Sequence, residues 1–261
     1  VAPAGPPGDR LFAYRISRSA DEVIQGAKSR YYPVELSEVL AQAKSVAGRY
    51  ALVGVPCFVK AVRRLAGRDP VVRERISFCI GLVCGHLKST AFSDCIAWQA
   101  GIAPGQLERI DFRVKSPARR ASDYGVTVSG GKIEKTGRAS DYFGSNWGYG
   151  FFKYSACEYC DDVFAETADI AVGDAWLPEY LEDWRGNSLV VTRSKPMEDL
   201  IRAARDAGRL RLQPCSPEQM AASQAGGLRH RRDGLALRLL LKSQAGEWAP
   251  RKRVAPSGSG I

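Results

Sequence analysis

Two short apolar runs, "YALVGV" at 50–55 and "RISFCIGLVCG" at 75–85, constrain this chain more than any other feature. Runs of that length suit strands buried inside a sheet. Between them "FVKAVRRLAG" (58–67) sets Phe58, Val62 and Leu65 at helical spacing, with Gly67 as a stop. A second helix is expected over "STAFSDCIAWQAG" (89–101), from Ser89 as cap to Gly101. Strand, helix, strand and helix in close succession call for parallel pairing with crossover helices.

The middle of the chain changes character. "RIDFRVK" (109–115) reads as a strand, and "YGVTVSGGKIEK" (124–135) as a hairpin turning at its Gly-Gly. Short strands are also expected at 10–17, 169–176, 188–194 and 209–215, with a helix over "PMEDLIRAARDAG" (196–208). The fold class is therefore α/β: a mostly parallel sheet with crossover helices plus an inserted antiparallel hairpin portion. Residues 1–24 are expected to be linker and a shortened N-terminal portion, the Pro/Gly-rich 1–9 being linker proper. Residues 25–215 form the main domain, and 216–261 a basic helical tail.

Composition narrows the function classes. Of 261 residues, 45% are hydrophobic and 25% charged, which is ordinary for a globular protein. There is no apolar run long enough for a membrane span and no secretory signal. The chain starts at Val1, which suggests a fragment or a trimmed product. The seven cysteines fit a reducing, cytoplasmic setting and metal or redox chemistry better than a disulfide framework. The net charge of +10 is concentrated towards the C-terminus, in 228–242 and 251–253, and reads as a solvated helix face and a frayed tail. Without aromatic platforms or a known module beside it, that charge does not make a nucleic-acid-binding protein. No Ser-His-Asp set and no phosphate-binding G-x-x-x-x-G-K motif is present, which removes the hydrolase and NTPase classes.

The cysteines are placed for a shared centre. Cys57 and Cys84 stand at the carboxyl ends of the two buried strands, the edge where open α/β sheets bind ligands. Cys57 also opens a helix, where main-chain N–H groups favour a thiolate. Cys157 and Cys160 form a Cys-x-x-C turn that points two sulfurs at one point. Four thiolates suit either Zn²⁺ or a [4Fe–4S] cluster. A redox disulfide is disfavoured, because no strand leads into the pair and no helix starts there. Cys79 and Cys95 read as core side chains, and Cys215 as a loop residue.

Four ordered stretches, "GVPCFVKAVRRL", "IGLVCG", "DFRVK" and "CEYCDDVFAETADIAVGDAW", resemble the coenzyme F420 hydrogenase/dehydrogenase beta-subunit family, and "KSRYYP" (28–33) matches its entry into this region. That family includes relatives that reduce chlorophyll precursors. The resemblance covers about residues 25 to 213. It implies an iron–sulfur flavoprotein that passes electrons between a [4Fe–4S] cluster and an organic acceptor through FAD. Carried onto this chain, the cluster ligands are Cys57, Cys84, Cys157 and Cys160, with Asp161 or Asp162 as a fallback. The upstream cysteine-rich stretch of many relatives is absent from this sequence, and the N-terminal part of the family core is shortened. The implied partners are an electron-donor protein, such as a ferredoxin or a partner subunit, and a small organic acceptor: a deazaflavin, a tetrapyrrole or a sugar-pathway intermediate. The rival readings are a subunit that holds a cluster without catalysis and a zinc-stapled binding module.

A flavin needs cations at its phosphates and polar groups at its ring edge. Arg113 and Lys115 alternate on one strand and project to one face, where they pair with phosphate, stabilise a reduced flavin, or simply meet nearby acids. Ser29, Arg30 and Tyr31 are similar candidates. Asp174, at a strand end, bonds a flavin or ribose hydroxyl or caps a turn. Asn146 and Trp147 lie in a glycine-rich loop that lets main chain approach a planar ring and an aromatic stack on it, or that merely connects. His86, two residues after Cys84, is a proton-relay candidate or an ordinary hydrogen-bonded histidine.

Overall fold

The structure, a computed structural model, describes residues 1–4 and 10–258. The expected linker at 5–9 lies outside the described residues. In chain order the strands are β1 (Ala2–Pro3), β2 (Phe12–Ala13), β3 (Tyr50–Gly54), β4 (Ile76–Leu82), β5 (Arg109–Val114), β6 (Gly125–Gly130), β7 (Ile133–Arg138), β8 (Ile170–Asp174) and β9 (Ser188–Thr192). The helices are α1 (Ala20–Gln25), α2 (Ser37–Ser45), α3 (Pro56–Ala66), α4 (Pro70–Arg75), α5 (Thr90–Gln99), α6 (Lys195–Asp206), α7 (Pro217–Ser223), α8 (Ala225–Arg231) and α9 (Asp233–Gln244). They fall into two compact units, each assembled from separated stretches of chain: Val1–Gln42 with His86–Tyr154 and Leu181–Gly186, and Ala43–Gly85 with Ser155–Tyr180 and Asn187–Ile261.

The second unit carries the α/β architecture. Its sheet runs β3-β4-β8-β9, with β3, β4 and β8 parallel and β9 antiparallel at the edge. β3 reaches β4 through α3 and α4, as parallel neighbours require. Only one face of β3 is covered: Leu52 is buried while Ala51 and Val53 are exposed, so this is an edge strand and not one buried on both sides. α3 begins two residues earlier than its apolar pattern suggests, because Pro56 supplies a preset first turn. Its buried stripe is Val59 and Val62; Leu65 faces out. Burying each valine contributes roughly 1.5–3 kcal/mol. Asp169 then ties the layers together. Its carboxylate accepts from Arg63 Nη2 of α3 at 2.5 Å and from the Cys79 amide of β4 at 2.7 Å, and its carbonyl accepts from the Arg193 amide at 2.7 Å.

The first unit holds the antiparallel portion, inserted in the chain between β4 and β8. β5, β6 and β7 form a meander in that order, and the hairpin turns at Gly131, whose φ of +59° is the left-handed conformation glycine allows. Its core is aromatic: Phe12, Tyr32, Phe92 and Phe112 pack with Ile96, Ile102 and Val128. Phe92 stacks on Phe112, with ring centroids 5.9 Å apart. In α5 the inward residues are Phe92, Ser93, Ile96 and Ala97, whereas Trp98 stays largely exposed.

Two expected strands are corrected. Of 10–17 only Phe12–Ala13 is extended and paired, against Ala2–Pro3. Residues 209–215 form no strand: they join no ladder among the described residues, and Leu210 and Leu212 lie exposed.

Candidate functional site

All four sulfurs of the expected set lie in the second unit. Each is delivered by a short, well-anchored segment. β3 ends at Gly54, Pro56 starts α3, and Cys57 follows in its first turn. β4 ends at Leu82; the chain stays anchored as Val83 N donates to Val172 O at 2.9 Å and Cys84 N to Val163 O at 3.0 Å. Cys157 sits in a 3₁₀ turn, Ser155–Tyr159, and the Cys160 amide closes back on the Cys157 carbonyl at 3.3 Å. Cys84 and Cys157 are buried, Cys160 is half-buried and Cys57 is exposed.

The thiols feel one another. Burial pushes Cys84 up to about 12, and Cys57 and Cys157 add to that rise. Cys57 is raised too, by desolvation of its sulfur first and then by Cys160 and Cys157. This corrects the expectation of a thiolate favoured by the helix start: the amides of Phe58 and Cys57 do lower it, but desolvation outweighs them. Among the described residues no three His, Cys, Asp or Glu side chains close on the distances a lone metal ion needs. The four thiols share a neighbourhood without meeting at one point.

A guanidinium stands among them. Arg231, the last residue of α8, is 1% exposed. Its Nη1 donates to Cys160 Sγ at 2.8 Å and to the Asp162 carbonyl, and its Nη2 donates to the Gly85 carbonyl at 2.6 Å. Its positive charge also pulls the Cys84 thiol down against the effect of burial. Its Nε is buried with no hydrogen-bond partner. The donor set fits an iron–sulfur cluster: four thiols from three stretches of chain, and a buried cation with an N–H unspent.

The neighbouring acids are otherwise engaged. Asp161 is 5% exposed and faces Arg253 at 3.2 Å, with Lys60 and Lys252 each at 3.9 Å. Both oxygens of Asp162 accept from the Glu166 amide, at 3.1 and 3.2 Å. The basic tail is thus no free solvated face. Arg231 is buried, Arg238 pairs with Glu158 at 2.9 Å, and Arg253 reaches Asp161 and Glu166, because the 157–166 segment offers carboxylates and carbonyls to cations that would otherwise stay in water.

The first unit presents a second feature. Lys28, Ser29, Arg113, Val114 and Lys115 line a hollow of about 470 Å³. Arg113 and Lys115, two apart in the chain, share it, next to a register shift between Asp111 and Val114. The Arg113 guanidinium lies 4.7 Å above the Tyr124 ring, Lys28 pairs with Asp111, and Lys115 donates to the Arg185 carbonyl. Arg30 covers the Phe12 ring at 5.2 Å, and burial lowers it. Elsewhere in this unit Trp147 gathers two other candidates and a lysine. Its ring is 4.4 Å from His86, 4.8 Å from Tyr31 and 4.7 Å from the Lys88 ammonium. Asn146 is taken up locally, capping its own turn by accepting from Gly148 N at 2.9 Å. Asp174 ends β8 in the second unit, where its carbonyl accepts from Gln224 at 2.7 Å.

Over residues 47–218 the chain matches the family described as the C terminus of the coenzyme F420 hydrogenase/dehydrogenase beta subunit. It belongs to that family. Coenzyme F420-dependent sulfite reductase of Methanocaldococcus jannaschii is 24% identical over 202 residues, which is 72% of this chain and 29% of that protein. The chain therefore spans under a third of that relative's length. A chain in the structure of the F420-reducing [NiFe] hydrogenase complex from Methanosarcina barkeri superposes with a TM-score of 0.62 at 16% identity, covering 92% of this chain and 79% of that one. At that identity the likeness establishes the α/β fold. The matched proteins are oxidoreductases, and among the described residues no helix is long and apolar enough to cross a membrane.

For this F420 hydrogenase/dehydrogenase beta-subunit relative, the residues missed by sequence reasoning are Arg231 and Lys88. In sequence Arg231 is one more cation in an arginine-rich helix. The available signal was the acid-rich 157–166 segment, which needs countercharge. Lys88 is 1% exposed, lies 4.8 Å from the Phe92 ring and donates to the Phe151 carbonyl at 2.6 Å. A lone lysine just before a helix gives no sign of this. The bystander cysteines are as expected for Cys79, which is fully buried; Cys95 is only half-buried and Cys215 is exposed.

Proposed function

We propose that this protein is an iron–sulfur flavoprotein oxidoreductase subunit that exchanges electrons between a partner and a small organic acceptor. The observation that supports the proposal is that Cys57, Cys84, Cys157 and Cys160 lie within one unit, close enough for the Cys57 and Cys84 thiols to feel other thiols of the set, with the buried Arg231 donating to Cys160. A [4Fe–4S] cluster bound there supplies one-electron chemistry, and FAD links it to a two-electron acceptor. The chain's part is to hold and shield. Cys84 and Cys157 exclude water, and the amide links from Cys84 to Val163 and from Cys160 to Cys157 fix the arms.

The hollow over Arg113, Lys115, Lys28 and Ser29 suits the phosphates of FAD, because it concentrates cations and a hydroxyl on one wall. Arg30 and Tyr31 flank that stretch in sequence. His86, held against Trp147, is the candidate to relay a proton to or from the acceptor. Both relatives are named for coenzyme F420, which makes a deazaflavin the first acceptor to test. The electron donor is a ferredoxin-like protein or a partner subunit, and the setting is cytoplasmic.

The test is anaerobic purification followed by a visible spectrum with iron, sulfide, zinc and flavin analysis. Broad brown absorbance with iron and acid-labile sulfide, bleached on reduction and lost in Cys84→Ser, is the expected result. A colourless protein with stoichiometric zinc overturns the reading; iron and sulfide without flavin reduce it to a cluster-holding subunit.

A further inference from the structure

We propose that Arg231 is a positioning residue that sets the reduction potential of the centre held by the four cysteines. The inference rests on the iron–sulfur reading above and adds a role for a residue outside the ligand set. Arg231 is buried to 1% exposure at the end of α8. It spends its N–H groups on two arms of the site at once. Nη1 reaches Cys160 Sγ at 2.8 Å and the Asp162 carbonyl, and Nη2 reaches the Gly85 carbonyl at 2.6 Å. One planar fork therefore joins the segment after β4 to the segment after the Cys-x-x-C turn. A lysine cannot make that bridge, since its ammonium is a single point of charge.

The chemistry follows from the charge. The guanidinium is a delocalised cation, and here it is buried. Buried charges persist only beside compensation, and the compensation available here is sulfur and carbonyl oxygen. Among the described residues no carboxylate forms an ion pair with it: Asp161 faces Arg253, Lys252 and Lys60, Asp162 accepts from the Glu166 amide, and Glu158 pairs with Arg238. Four thiolates about an iron–sulfur core carry net negative charge, and one added electron deepens it without making or breaking a bond. A fixed cation with an N–H donor on the Cys160 sulfur favours that reduced state and raises the midpoint. The buried, unpartnered Nε adds a donor on the same side chain.

The experiment uses the full chain, anaerobically purified, as parent, Arg231→Met and Arg231→Lys. The midpoint is read by mediated titration with dithionite, followed optically and by electron paramagnetic resonance, with iron, sulfide and thermal melting measured in parallel. Removing the charge is expected to shift the reduction equilibrium at least tenfold towards the oxidised form, about 59 mV for one electron. The lysine variant, which keeps charge but loses the fork, is expected between parent and methionine. A methionine variant that keeps its iron and titrates within threefold of the parent overturns the proposal. So does loss of iron from both variants with melting unchanged, since Arg231 would then build the site and not bias it. If the methionine variant does not fold, the lysine variant decides alone: a midpoint lowered threefold or more supports the role, and a parental midpoint refutes it. A parent without iron and sulfide is a different failure, that of the iron–sulfur reading itself.

Discussion

Substituting Gly81→Ala tests how tightly the floor beneath the thiol site is packed. A Cβ at position 81 would lie 2.3 Å from the Ala165 Cβ and 2.9 Å from the Ala168 Cβ. Carbon atoms rest at about 3.5–4.0 Å, so the nearer methyl must retreat by roughly 1.2 Å or more. It has little freedom to do so. Ala165 is fully buried, its carbonyl accepts from Ala168 N at 2.9 Å and from Arg193 at 3.2 Å, and its φ is already +49°. Overpacking of this kind costs about 1–3 kcal/mol, against about 0.4–1 kcal/mol gained from stiffening the unfolded chain. The net expectation is about 1–2 kcal/mol, or a melting temperature lower by roughly 2–8 °C at about 2–4 °C per kcal/mol. Ala165→Gly removes both the obstructing methyl and the strained left-handed alanine. Alone it should be near neutral, since about 1 kcal/mol of relieved strain offsets about 0.8 kcal/mol of lost burial. In the double variant the nearer and worse clash is gone and only the 2.9 Å approach to the Ala168 Cβ remains, so a coupling of about 1 kcal/mol is expected by urea unfolding. Parental stability of Gly81→Ala, or additivity in the double variant, refutes the reasoning.

Arg113→Met and Lys115→Met should each weaken FAD binding about tenfold or more, the loss of one charge-assisted contact, while riboflavin binding is unchanged; calorimetry that shows equal losses for both ligands places the phosphates elsewhere. Lys88 is brought down to about 8 by burial and by the Lys153 ammonium. The folded state therefore binds fewer protons there than the unfolded state, so this residue's contribution to stability rises with pH between about 8 and the ordinary lysine value of about 10.4. Subtracting the melting curves of Lys88→Met from those of the parent over that window isolates the effect, and a flat difference rejects it. Arg253 holds Glu166 below its usual range; burial raises Asp161, but Arg253, Lys252 and Lys60 together bring it below its own. The stability from these depressed carboxylates is present above about pH 4 and lost as pH falls through their folded values. Because Arg253 is half exposed, Arg253→Met should cost no more than about 1 kcal/mol at neutral pH, and the cost should vanish in acid.

Legibility in the sequence followed the range of the interactions involved. β3, α3, β4 and the β6–β7 hairpin could be read because apolar period, Pro56, Gly131 and run length are local signals. The strand ends carrying Cys57 and Cys84 followed from the same signals. What could not be read was partnership. Residues 209–215 alternate like a strand, yet extended chain becomes a strand only when a neighbour offers a ladder. Phe58 and Leu65 match a helical stripe as well as Val59 and Val62 do, and only the sheet beneath decides which pair is covered. The helix start alone favours a thiolate at Cys57, whereas desolvation by other segments governs it.

The basic tail shows why charge is the hardest quantity to place from composition. A net charge of +10 reads as a surface awaiting an anionic partner, but several of these cations are already answered from within the second unit. The segment from Cys157 to Glu166 carries two thiols and the acids Glu158, Asp161, Asp162 and Glu166. Against it stand Arg231, Arg238, Lys252 and Arg253, with Arg232 reaching Glu166 at 3.6 Å. The two stretches are far apart in sequence and match in sign nearly residue by residue. Exposed pairs of this kind contribute little singly, but the buried members differ: Arg231 without its acceptors, or Asp161 without its cations, would leave an uncompensated charge out of water. The 228–253 stretch is thus part of the thiol site's electrostatics. On the proposed iron–sulfur reading, truncation ahead of residue 228 should therefore abolish the iron and sulfide retained on anaerobic purification even though all four cysteines remain.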